Sequence, residues 1–148
     1  FGLPLDDTRL FTSYTLAAML VGYLAGLALI PRIVSQERYL AISAALGVLL
    51  CLGATTTSGA ISVAFIAALG FANAMMWPAI FPLAIRDLGR HTETGSALLI
   101  MAVAGGAIMP WLFALLKTHV DFQIAYAALA IPSYAFLFYF GLRGHRTT

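Results

Sequence analysis

Between Arg38 and Arg86 the chain reads YLAISAALGVLLCLGATTTSGAISVAFIAALGFANAMMWPAIFPLAI, 47 residues (39–85) without an Asp, Glu, Lys or Arg. A charge at the centre of a bilayer costs roughly 2.5 to 3.5 kcal/mol on insertion scales, so membrane chains confine charges to loops. The rest of the sequence obeys the same rule: its eight basic and six acidic residues all lie between long apolar runs and never inside one. The stretch 39–85 is too long for one helix, because crossing a hydrocarbon core of about 30 Å takes about 20 residues. It breaks at Thr55-Thr56-Thr57-Ser58-Gly59, a polar cluster ending in glycine and a turn signal. That predicts a short span over 39–54 and a long one over 60–85.

Three more spans flank this pair, over 10–30, 95–116 and 122–142. All five runs are continuously apolar rather than alternating, and five short strands cannot close a sheet edge in lipid, so the spanning elements are helices. Composition agrees. The chain is 61% hydrophobic and 9% charged, against about 25% charged in ordinary soluble domains. The fold class is an all-α membrane protein with five transmembrane helices. A net charge of +2 gives no electrostatic case for nucleic acid. The single cysteine, Cys51, excludes an internal disulfide and a Cys-rich metal site, and reads as a small buried apolar residue. Residues 1–9 do not form a cleavable signal. The absence of an initiator Met leads us to expect that the chain begins partway through a longer polypeptide.

Five spans place the termini on opposite sides. One side holds Arg32, Arg38, Arg86, Arg90, Arg143 and Arg146; the other holds Arg9 and Lys117. The positive-inside rule then sets Phe1 outside, in the periplasm, and Thr148 in the cytoplasm of an inner-membrane protein.

Few polar groups lie at membrane depth. In the third span, Asn73 and Trp77 are spaced i, i+4 on one helical face, with Phe81 a turn further. An amide beside an aromatic plane suits a sugar: the amide bonds hydroxyls and the indole covers an apolar ring face. A packing role for Asn73 and an interfacial anchor role for Trp77 are the structural alternatives. Pro78 and Pro82 remove two backbone donors and free carbonyls on the preceding turns, which in lipid protein or water must satisfy. The first span carries Tyr14, Tyr23 and Gly22-x-x-x-Gly26, a spacing that lets two backbones approach closely. The alternative for that pair is a sliding or gating role. The fourth has Gly105-Gly106 followed by Pro110, either a hinge or a close-contact patch. The fifth has Pro132, Ser133 and Tyr134 at mid-depth, then an aromatic cluster that reads as an interfacial belt. No carboxylate lies at membrane depth, so no proton- or cation-coupling residue is evident. His91, His119 and His145 are scattered, so no metal site, cofactor site or catalytic constellation is argued. Expected local contacts are an Arg90–Glu93 pair, Asp6 or Thr8 capping the first helix, and Asp121 capping the fifth.

The run Trp77-Pro78-Ala79-Ile80-Phe81-Pro82-Leu83-Ala84-Ile85, then Asp87-Leu88-Gly89, Thr92 to Ser96 and Gly105-Gly106-Ala107-Ile108-Met109-Pro110 resembles the C-terminal half of fucose-permease-like sugar transporters of the major facilitator superfamily. In that family an aromatic-Pro-x-Ile-Phe segment in the tenth helix leads into a Leu-Gly loop, and a Gly-Ser start and Gly-Gly pair mark the eleventh. Tyr14 and Met19 resemble its eighth helix. The likeness covers the whole chain as helices eight to twelve of a six-helix C-terminal bundle, without the seventh. It implies twelve helices in two halves, alternating access around a midplane site, and proton-coupled uptake of a hexose or related sugar. It implies coupling carboxylates in the absent N-terminal half, which would be this chain's partner. Asn73, Trp77 and Tyr14 become candidate substrate contacts, and Pro78, Pro82, Gly105 and Gly106 candidate gating points. Trp77 stands where fucose carriers commonly have Tyr, and the loop from Arg32 to Arg38 lacks an Asp-x-x-Gly-Arg signature. The competing functions are transport of another solute, such as a drug or organic acid, and a non-transporting membrane assembly subunit or intramembrane enzyme. An organic acid carrier calls for a basic residue at membrane depth, and an enzyme for a nucleophile and base at one depth.

Overall fold

The computed structural model describes residues 5–30 and 32–144, with side chains from Leu10 onward. Regular structure among the described residues is entirely helical. The helices are α1 (Leu5–Leu29), α2 (Gln36–Thr56), α3 (Gly59–Asn73), α4 (Met76–Ile85), α5 (Thr92–Ala102), α6 (Gly105–Leu116) and α7 (Phe122–Tyr139). A 3-10 turn, Gly89–His91, leads into α5, and a π turn, Phe140–Gly144, extends α7. Together they form five apolar elements of membrane-crossing length: Leu10–Leu29, Gln36–Thr56, Gly59–Ile85, Gly89–Leu116 and Phe122–Gly144. The chain is a multi-pass, all-α membrane protein.

The core forms around α2. Leu40, Ala44 and Cys51 on α2 meet Leu69 on α3, Met76, Ala79 and Leu83 on α4, and Tyr134 on α7. α1 packs on the far side of α3. Its Gly22-x-x-x-Gly26 motif makes that approach. A Cβ at Gly22 would stand 2.7 Å from both the Ala74 Cβ and the Phe71 carbonyl oxygen, and Gly26 lies directly against Met75. The small-residue spacing is thus a packing seam in this chain.

The third span is two helices, and its prolines differ from expectation. The break falls at Ala74–Met75, where Met75 takes φ −96°, ψ 6°. Pro78 is the third residue of α4. Amides in a first helical turn have no intrahelical partner, so Pro78 frees no carbonyl. Pro82 lies inside α4, and the carbonyl it deprives is that of Pro78, four residues back. Gln36, at the start of α2, supplies the missing donor: its Nε2 donates to Pro78 O at 3.1 Å and to Ala79 O at 3.4 Å. On this Arg-rich side Glu37 and Arg86 also pair at 3.9 Å.

A second amide closes the opposite side. The last carbonyls of α2 have no helical partner. Gln123 Nε2, in the first turn of α7, donates to Ala54 O at 2.9 Å, Thr57 O at 2.9 Å and Ser62 Oγ at 2.8 Å. Ser62 Oγ in turn donates to Ala54 O at 2.8 Å. The α2–α3 turn is thereby fixed to α7.

The fourth span is interrupted ahead of its glycine pair. Val103, Ala104, Gly106 and Ala107 make i→i−3 bonds, Val103 N to Ile100 O at 3.1 Å and Gly106 N to Val103 O at 2.8 Å among them, a tightening characteristic of 3-10 geometry. Neither α5 nor α6 has a buried residue. Two local expectations fail. Arg90 Nε donates to His91 Nε2 at 3.2 Å rather than pairing with Glu93. Asp121 stands at the N-cap of α7, but its side chain makes no cap bond. The expected caps Asp6 and Thr8 lie outside the residues whose side chains are described, as do Arg9, His145 and Arg146 and the termini Phe1 and Thr148.

Candidate functional site

Asn73 is the last residue of α3 and Trp77 the second of α4, so the break at Ala74–Met75 falls between them. The two environments differ. Asn73 is half-buried, and its Oδ1 accepts a 2.8 Å hydrogen bond from the hydroxyl of Tyr134 on α7. Among the described residues its Nδ2 has no hydrogen-bond partner, yet it is not a buried, unsatisfied atom. One end of the amide is anchored in the core and the donor end remains available. Trp77 is 48% exposed and leans on Phe81 with ring centroids 6.1 Å apart at 54°. Its indole therefore presents open aromatic surface.

Tyr14 lies on an exposed face of α1 and packs against Phe11, with centroids 6.5 Å apart. Its neighbour Thr15 lies against Gly70 of α3. At 1.5 Å of rise per residue, this places Tyr14 about one helical turn from Asn73 in depth. No hydrogen bond or ring contact among the described residues joins Tyr14 to Asn73 or Trp77. Pro78 and Pro82 are both exposed. A Cβ placed on Gly105 or Gly106 would meet no atom within 4 Å, so the glycine pair is not a close-contact patch within this chain.

The three amides are the informative polar groups, and the sequence contains no others of that kind: Gln36, Asn73 and Gln123. The role of Tyr134 was missed. Its signal was a phenol at mid-depth in an apolar helix, which must find a partner when buried. A separate cavity of about 460 Å³ lies between α6 and α7, lined by Met109, Pro110, Phe113, Phe122, Tyr126 and Ser133, among others. Its walls are almost wholly apolar, which does not suit a polyhydroxylated ligand. Among the described residues, no cluster of His, Cys, Asp or Glu can hold a metal ion.

These features define a class: a helical membrane protein with proline- and glycine-interrupted spans and sparse neutral polar groups at depth. Comparison with known proteins narrows it. The chain is similar to the glucose/galactose transporter of Brucella abortus, 32% identical over 146 residues, 99% of this chain and 35% of that protein. It is similar to a putative glucose/galactose transporter of Helicobacter pylori, 30% identical over 148 residues, covering 97% of this chain and 36% of the relative. It is also similar to the L-fucose-proton symporter of Escherichia coli, 28% identical over 95 residues, 64% of this chain and 22% of that protein. No family model matches the chain, and no solved structure matches it significantly. The chain matches a segment of fucose-permease-like sugar transporters, and it spans about a third of the length of these curated relatives.

Proposed function

We propose that the chain is part of a carrier that moves a hexose or related sugar across the bacterial inner membrane, coupled to protons, by alternating access. Similarity to glucose/galactose transporters over 99% of the chain carries this reading. The lack of any carboxylate at membrane depth supports assigning proton coupling to helices outside this chain. We assign Asn73 and Trp77 to the sugar pathway, the amide as donor to a hydroxyl and the indole as a stacking surface, with Tyr14 as a further contact at nearby depth. Pro82, Gly105 and Gly106 are assigned as points of flexure. The Arg-rich loops face the cytoplasm, and residue 1 the periplasm.

In the complete carrier, Asn73→Ala and Trp77→Ala each weaken apparent sugar affinity about tenfold, because removing a hydrogen bond or an aromatic stacking surface from a desolvated site costs roughly 1 to 3 kcal/mol. Trp77→Tyr retains far more affinity than Trp77→Ala. The measurement is uptake of labelled hexoses per molecule of inserted protein. Normal half-saturation in both alanine variants, with only lowered expression, makes the third span a packing element and overturns the assignment.

A further inference from the structure

The best-defined polar contact at membrane depth joins the assigned site to a helix that contributes nothing else to it. Tyr134 is 6% exposed and part of the core. Its ring rests on Gly47 of α2, where a Cβ would stand 2.8 Å from the ring carbons. Gly47 is the residue that admits the phenol. The hydroxyl donates to Asn73 Oδ1 at 2.8 Å. The phenol is thus held at the ring by close packing and at the hydroxyl by Asn73.

The consequence lies in the chemistry of the amide. A free asparagine side chain offers two donors and a carbonyl acceptor, and rotation about its last torsion exchanges them. Tyr134 takes one of the two lone pairs of the carbonyl and so fixes which end of the amide is which. The Nδ2 donor pair has no partner among the described residues. We propose that Tyr134 is a positioning residue: it stops Asn73 from exchanging its ends, so that the Nδ2 donors are held in one orientation for a sugar oxygen able to accept. Asn73 also ends α3 at the α3–α4 break, so the same bond ties α7 to the point where the third span is interrupted.

This inference rests on the assignment of Asn73 to the sugar pathway, and the test separates the two. Tyr134→Phe keeps the ring against Gly47 and removes only the hydroxyl. Uptake kinetics are measured for Tyr134→Phe, Asn73→Ala and the double variant in the complete carrier, with thermal retention of the detergent-extracted protein recorded alongside. The expected result is a rise of about tenfold in half-saturation for Tyr134→Phe with maximal rate little changed, and a double variant no weaker than Asn73→Ala alone. Normal half-saturation in Tyr134→Phe, when Asn73→Ala is impaired, overturns positioning and leaves the sugar contact standing. Additive losses also overturn it, because they make Tyr134 an independent element. Normal half-saturation in Asn73→Ala removes the assignment itself, and this inference with it.

Discussion

Single residues in this chain complete what backbone geometry leaves undone. Pro82 deprives the Pro78 carbonyl of its helical donor, and Gln36 replaces that donor from 42 residues away, at 3.1 Å. Gln36→Leu leaves the carbonyl unmet in or near lipid and destabilises by roughly 1 to 3 kcal/mol. Pro82→Ala restores a backbone N–H to the same carbonyl, so Gln36→Leu in that background should cost little. Thermal unfolding of the four detergent-extracted proteins checks the cycle, and equal losses in both backgrounds would refute the substitution of one donor for the other. Gln123 serves the opposite side with a single nitrogen reaching three oxygens. Gln123→Leu should loosen the α2–α3 turn, read as faster hydrogen exchange or proteolysis around Thr55–Gly59 with the other loops unchanged. Cross-helix bonds of this kind were half legible in the sequence. The prolines announce that a carbonyl needs a donor, and the scarcity of amides limits the choice, but 42 residues of separation hide which one is used.

At the scale of the helix, close approach governs. Gly22 and Gly26 let α1 lie directly on the α3–α4 break, so Gly22→Leu should detach α1 from α3 while leaving its insertion intact. Gly26→Leu should do the same, read in both variants as faster proteolysis or hydrogen exchange of α1 relative to α2; unchanged protection in both means that this contact is not the seam. The glycine pair at 105–106 behaves otherwise. An added methyl there meets nothing in this chain, so Gly105→Ala changes backbone freedom alone, worth about 0.5 to 1 kcal/mol of added helix stability. As a flexure point it then slows turnover with half-saturation unchanged; equal turnover in parent and variant ends that assignment. The five apolar elements were readable because the cost of a buried charge acts on composition, which is local. The break at Ala74–Met75 was not, since neither residue is a helix breaker and Pro78, the more conspicuous residue, sits harmlessly in the turn that follows. That shift also separates Asn73 from Trp77 in environment, although their spacing alone puts them on one face.

Over the whole molecule, cover is unequal. α2 is surrounded by α3, α4 and α7, whereas the span formed by α5 and α6 buries no residue. Lipid can solvate its apolar side chains, but a broken helix with 3-10 turns at 103–107 is poorly suited to exposure on every face. Irregular backbone at membrane depth is tolerated where protein or a water-lined cavity covers it. Similarity to about a third of each sugar transporter agrees with a wall that further helices complete. The expected outcome for the chain reconstituted alone is therefore insertion without saturable, proton-driven sugar uptake. Insertion has its own check. Arg32, Arg38, Arg86, Arg90 and Arg143 share one side against Lys117 among described side chains on the other, and that imbalance orients short loops toward the cytoplasm. A reporter active only in the cytoplasm should be silent when fused after Thr57 and active after Gly89. The reverse pattern overturns the orientation without touching the helix packing, because the fold within the bilayer is indifferent to which face is inside.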